Sequence, residues 1–135
     1  MQAVEIKKLA EGFHDDPRTG WAAWPFLTGF GEGGADIRAV HVVAIMPGQV
    51  RGNHYHEKAK ELLFMFSGTG MLYWEEDGHA KERLISGEPV IVTIPPGVKH
   101  AFRNTGEDTV YLIAVRDGDY DPAHPDTVRS VIQEG

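Results

Sequence analysis

Two histidines one residue apart, His54 and His56, stand in the stretch GQVRGNHYHEKAKELLFMFSG, and Glu61 follows five residues after the second. A third histidine, His100, closes the turn IPPGVKH. Side chains at i and i+2 of a strand leave the same face, so His54 and His56 project together if the stretch is extended. On the next segment Glu61, Leu63 and Met65 share a face, and after the later turn His100, Phe102 and Asn104 share another. If these faces turn to one interior, three imidazoles and one carboxylate converge from three strands. Such a set suits a divalent first-row metal, with zinc the first choice and iron, manganese or nickel alternatives, and leaves one or two positions open. Leu63, Met65 and Phe102 are then expected to line the pocket beside the metal and to contact a substrate.

An imidazole can also move a proton, so His54 reads either as a ligand or as a base. Tyr73, on the segment after the motif, and His41, on the segment before it, are the other candidate proton carriers. Arg51 offers a bidentate fork for a phosphate or pyrophosphate. Lys60, Lys99 and Arg103 are weaker candidates, because alternation points them opposite to their neighbours Glu61 and His100. His14, His79 and His124 lie in turn-rich segments and read as surface residues.

The elements that must position these groups are strands. From Ala39 onward short apolar runs (AVHVVAI, ELLFMF, GMLYWEE, KERLI, PVIVTI, HAFRN, TVYLIAV) are broken by turn residues such as Pro47-Gly48, Ser86-Gly87 and Pro95-Pro96-Gly97. That spacing is the signature of an all-β sandwich or barrel. Asp77-Gly78 marks the clearest hairpin. EKAKELLFMF has some helical character in isolation, but Gly68 and Gly70 cut it short between two strand-like neighbours. Residues 1–38 read as an extended arm of the same domain, with a strand over Val4–Leu9 and the aromatics Trp21, Trp24 and Phe26 packing on the barrel or a partner; residues 39–118 read as the barrel. Phe64, Phe66 and Trp74 read as filling between sheets or subunits. Residues 119–135 form a tail, in which a short helix is expected from about Pro125.

The chain of 135 residues, 41% hydrophobic, is enough for one domain with a real core. Its net charge of -7, from 20 acidic and 13 basic residues, argues against nucleic acid or an anionic membrane as partner. With no cysteine, disulfides, thiolate metal sites and cysteine nucleophiles are excluded. MQAVEIKKLAEGF carries charges where a signal peptide needs its apolar run, and no apolar segment approaches the roughly 20 residues of a span. A cytoplasmic location is therefore expected.

The residues also carry a resemblance. GQVRGNHYHEKAKELLFMFSG reads G-x5-H-x-H-x4-E-x6-G, and GEPVIVTIPPGVKHAFRN reads G-x7-P-x-G-x2-H-x3-N. Over about residues 40 to 115 these resemble, in order, the two motifs of the cupin superfamily, the second with two extra residues between Gly87 and Pro95. The resemblance implies a double-stranded β-helix (a jelly-roll barrel) with metal ligands at His54, His56, Glu61 and His100. More narrowly, VRGNHYH, the second motif and the tail YDPAHPDT are similar to the C-terminal cupin domain of capsular-polysaccharide nucleotide-sugar reductases, a match to the cupin part alone. The Arg-Gly-x-His core is similar to deoxysugar epimerases and ketoisomerases, in whose metal-free members the histidine matching His54 is a catalytic base.

These readings together imply a homodimeric metal-binding cupin that acts on a carbohydrate or nucleotide-sugar by epimerisation or isomerisation beside a carbonyl. An iron-dependent dioxygenase and a non-catalytic small-molecule sensor are the rival expectations.

Overall fold

Asp77 and Gly78 both adopt positive φ, 50° and 77°, the backbone of a two-residue hairpin turn whose twist matches the flanking strands. That turn joins β7 (Thr69–Glu76) to β8 (His79–Ser86) in unbroken antiparallel register, Thr69 opposite Ser86 and Glu76 opposite His79. A computed structural model describes residues 3–9, 13–26, 37–118, 122–123 and 125–133. The other main strands are β1 (Glu5–Lys8), β4 (Ala39–Ile45), β5 (Val50–His56), β6 (Glu61–Met65), β9 (Val90–Ile94), β10 (His100–Asn104), β11 (Val110–Arg116) and β12 (Thr127–Arg129); β2 (Phe13–Asp16) and β3 (Gly20–Ala23) form a separate hairpin. One sheet runs β1-β9-β6-β11-β4 and the other β12-β5-β10-β7-β8. Their inner faces meet in a single apolar cluster that includes Leu63, Leu72, Trp74, Val92, Phe102 and Leu112. This is the double-stranded β-helix, a barrel open between the edge strand β4 and the β5–β12 edge.

Strand β6 explains the unbroken run ELLFM. All five of its residues are buried, as expected where both faces of a strand are covered. Leu63 and Met65 face the core, while Leu62 and Phe64 face outward and are roofed by the arm. Phe26 packs edge-on against Phe64, and Trp21 packs edge-on against Phe66. The arm's aromatics are therefore packing residues, although Trp24 stays mostly exposed. Val4–Leu9 is realised as β1, paired with β9. His14 and His79 are exposed as expected; residues 27–36 and His124 lie outside the described residues.

The tail corrects the sequence reading. In place of a helix, residues 127–129 add a strand to the free edge of β5, with Thr127 opposite His56 and Arg129 opposite His54. Nucleating so short a helix is unfavourable, whereas the edge of β5 offers hydrogen-bond partners at once, and the β-branched Thr127 and Val128 favour the extended form.

Strand β5 is interrupted where alternation alone would mislead. Its register against β10 shifts from His54 opposite His100 to Gly52 opposite Ala101, so Asn53 is an extra residue, held with φ at 55°. A side chain at residue 52 would meet the His100 carbonyl at 2.9 Å, which explains its glycine. Beyond this bulge the parity reverses, and Arg51 stands opposite Phe102. Directly opposed residues share a face, so Arg51 joins His54 and His56 on the inner side.

Candidate metal centre

Three strands deliver four polar side chains to one end of the barrel interior. His54 and His56 come from β5, Glu61 from the first position of β6, and His100 from the first position of β10. His56, Glu61 and His100 are buried, and His54 is half-buried toward the open side. The three rings lie close together, with centroids 4.7 Å apart for His54 and His100 and 5.0 Å apart for His54 and His56. They form the floor of a cavity of about 910 Å³, lined also by Arg38, His41, Arg51, Leu63, Phe102 and Arg116.

The hydrogen bonds behind the rings determine what they present to the cavity. Nδ1 of His100 lies 3.0 Å from the Val98 carbonyl. A carbonyl only accepts, so Nδ1 holds the proton and Nε2 of the neutral ring presents a lone pair. That lone pair faces Oε1 of Glu61 at 3.5 Å. In metal-free protein a proton between these atoms lets His100 hold the Glu61 carboxyl down, and a cation takes that proton's place when it binds. On the other side, Nε2 of His56 stands 3.2 Å from Oε2 of Glu61 but is aligned with no hydrogen-bond partner. The potential ligand atoms of all four residues lie within 4.8 Å of one another. Donors around one ion at about 2.1 Å are about 3.4 Å apart in a tetrahedron and at most about 4.2 Å apart in any geometry, so a contraction of about 0.6 to 1.4 Å closes the set. The residues therefore fit a divalent ion bound through imidazole nitrogen and carboxylate oxygen.

The electrostatics agree with that donor chemistry. Burial, reinforced by His100 and His56, lowers His54 to about 4, so its ring is neutral and able to donate a lone pair at neutral pH. Burial alone would raise the Glu61 carboxyl, but His100 and His56 outweigh it and hold Glu61 well below the usual carboxylate range. The sign for His54 gives a prediction. The unfolded chain takes up this proton near 6.5 and the folded chain only near 4. The stability of metal-free protein is thus expected to fall as the pH drops through that window. Denaturation midpoints measured from pH 7 to 4 should follow this slope, and His54→Asn should flatten it.

The other residues singled out in the sequence divide clearly. Leu63, Phe102 and Arg51 line the cavity. His41 does too, on the same face of β4 as the buried Ile45 and opposite the small Ala114. Met65 shares the inner face of β6 but packs within the core cluster instead of against the cavity. Tyr73 is not brought to the site. It pairs with Ala101, between the inward-facing Leu72 and Trp74, and so points to the opposite side of the sheet. Lys60, Lys99 and Arg103 do not line the cavity. Sequence reasoning had missed Arg38, Arg116 and Thr127. Arg116 stands opposite Glu61 at the end of β11, and its carbonyl accepts the Arg38 N–H at 2.9 Å. Their placement is a matter of cross-strand register, which no local pattern carries.

Comparison with known proteins finds this chain similar to proteins of polysaccharide biosynthesis. The polysaccharide biosynthesis C-terminal domain family matches residues 34–128. The chain is 35% identical over 91 residues to the spore coat polysaccharide biosynthesis protein SpsL of Bacillus subtilis (strain 168), a match spanning 62% of this chain and 60% of that one. It is similar to the capsular polysaccharide assembling protein CapF of Staphylococcus aureus, with 28% identity and a TM-score of 0.65 over 70% of this chain and 27% of CapF. The sugar 3,4-ketoisomerase QdtA of Thermoanaerobacterium thermosaccharolyticum, solved with TDP, shares the fold with a TM-score of 0.73 at 20% identity, over 94% of this chain and 88% of QdtA. The chain thus spans about 60% of SpsL and under a third of CapF.

Proposed function

The chain belongs to the polysaccharide biosynthesis C-terminal domain family, and from that premise we propose that it is a metal-binding cupin that epimerises or isomerises a nucleotide-sugar beside a carbonyl. The observation that carries this reading is the group of three imidazoles and one carboxylate on the floor of a cavity with arginines around it. Relatives named for polysaccharide biosynthesis, and a ketoisomerase of the same fold solved with TDP, support it.

His56, Glu61 and His100 hold the ion, zinc by first preference, and His54 completes the set from the cavity side. A bound divalent ion supplies Lewis-acid stabilisation of negative charge on a carbonyl oxygen. Arg51, Arg38 and Arg116 provide positive charge for the substrate's phosphates, with the guanidinium fork suited to two phosphate oxygens. Leu63 and Phe102 offer the sugar an apolar wall. His41 takes the proton from the carbon beside the carbonyl; the C–H electrons form the carbon–carbon double bond of an enolate as the carbonyl π pair moves to oxygen. Return of a proton from solvent to the opposite face of the same carbon gives the epimer, and His41 releases the abstracted proton to solvent. In an α-hydroxy ketone, loss of the hydroxyl proton and protonation of the former carbonyl carbon move the ketone by one position. The exposed apolar face of β4 and β11, with Val40, Val42, Met46 and Tyr111, supports the homodimer. Among the described residues no helix is long and apolar enough to cross a membrane.

The test is solvent exchange. In deuterium oxide the protein should place deuterium on the carbon beside the carbonyl of a nucleotide-linked keto-sugar, and His41→Ala should slow this by about 10²- to 10⁴-fold. No incorporation across a panel of such sugars would overturn the reading. Oxygen uptake by iron-loaded protein would support the dioxygenase instead, and tight binding without turnover would support the sensor.

A further inference from the structure

His56 and His100 are anchored in unlike ways. His100 is held by the carbonyl of Val98, two residues upstream in its own turn. His56 is held from far along the chain: its Nδ1 lies 3.0 Å from the Thr127 hydroxyl, 71 residues away on the tail strand β12. The residue before Thr127 reaches the same part of the site. The Asp126 carboxylate accepts the N–H of Lys58 at 3.0 Å and of Ala59 at 2.9 Å, and its carbonyl accepts the N–H of Glu57 at 3.0 Å. Residues 57 to 59 are the bend between His56 and Glu61, so one aspartate fixes the spacing of two candidate ligands. Further on, the Ser130 N–H donates to the Asn53 carbonyl at 2.8 Å, and the Asn53 side chain binds the backbone of Ile132 and Gln133. The tail is therefore fastened along the whole ligand-bearing half of β5.

We propose that Thr127 and Asp126 are positioning residues of the metal centre, Thr127 by orienting the His56 ring so that Nε2 faces Glu61, and Asp126 by holding the bend between these two ligands. The inference rests on the reading of the four residues as a metal site. A hydroxyl is well suited to the task at His56. When it accepts from Nδ1–H, Nε2 is left as a lone pair for a metal, the state that the Val98 carbonyl imposes on His100. Valine in its place keeps the size and the strand pairing but offers neither acceptor nor donor, while serine keeps both.

The experiment is a cobalt(II) and zinc(II) titration of the parent, Thr127→Val and Thr127→Ser proteins against a chromophoric chelator, with ¹⁵N-resolved NMR of the His56 ring in metal-free protein. Thr127→Val should bind both ions about 10- to 100-fold more weakly, and Thr127→Ser should stay within about threefold of the parent. Thermal unfolding of the metal-free proteins should separate the two variants far less than metal affinity does. Equal affinity in Thr127→Val and the parent would overturn the inference and leave the metal site standing. If the parent binds neither ion, the metal reading falls. The NMR then decides the positioning claim alone: a moved His56 Nδ1 resonance in Thr127→Val supports it, and an unmoved one refutes it.

Discussion

Glu61→Gln is expected to weaken divalent-metal binding by more than about 100-fold, beyond the upper end of what loss of an outer-shell partner costs. The substitution keeps the shape of the side chain and removes its charge, in a place where that charge is buried among three imidazoles. Without the carboxylate, nothing in the ligand set offsets the charge of a cation, and each His ligand must be neutral to bind. His100→Ala should have a loss of the same order, because its Nε2 is the lone pair that the Val98 carbonyl aims at Glu61. Metal analysis of protein purified without chelator checks both variants. The parent should also gain thermal stability on adding zinc(II), as any ligand confined to the native state requires. The Tm of Glu61→Gln should not respond to the metal. Retention of parental metal content by Glu61→Gln would sink the ligand assignment.

The second large effect concerns stability. Asn104 is fully buried, and its side chain makes three hydrogen bonds: Nδ2 donates to the carbonyls of Ile45 and Asp108, each at 2.8 Å, and Oδ1 accepts the Gly106 N–H at 2.9 Å. Its backbone adds two more, to Gly48 and Gln49. Asn104 thus ties the end of β10 to the turn after β4. Asn104→Ala leaves the buried Ile45 carbonyl without its partner and turns the part-buried Asp108 carbonyl and Gly106 N–H over to water. At about 1–3 kcal/mol for the unsatisfied buried group and about 1 kcal/mol for the two other hydrogen bonds together, a loss of about 2–4 kcal/mol is expected, a large share of the stability of a domain this size. Urea unfolding reads it as a lowered midpoint with an unchanged slope. A loss below about 1 kcal/mol would mean that water replaces the side chain.

Asn104 also shows why parts of this protein were legible in the sequence. The pattern that ends in His100 and Asn104 contains one residue facing the cavity and one that only holds a turn. Both are specified by spacing along a single strand, where alternation is reliable. The same holds for His54 with His56, for Glu61 with Leu63, and for the hairpin at Asp77-Gly78. Local pattern is insufficient where position depends on a neighbouring strand: Arg51 is a candidate by its chemistry alone, and alternation does not show that it faces inward. Arg51 faces inward only because Asn53 is an extra residue, and the Gly52-Asn53 pair was the sole local sign of that bulge. Tyr73 was misjudged because MLYWEE offers large side chains on both faces, and only the pairing of Ala101 with Tyr73 shows which face is outside. The tail's own sequence predicts a helix, because the free edge that it covers belongs to residues some 70 positions earlier.

The pairing order of the strands also bears on when the site comes into being. Among the described strands of the two main sheets, only β7 and β8 are neighbours both in sequence and in space. Every other pairing must close a longer loop, and that entropy is spent before the contacts return it. The β7–β8 hairpin is thus the natural seed, since its turn is already shaped. The seam that carries Thr127 to His56 joins residues 71 apart in the chain, so its loop-closure cost is far above that of the β7–β8 turn. A chain without that seam keeps the pairing of β5 with β10 and leaves the His56 ring without its Thr127 partner.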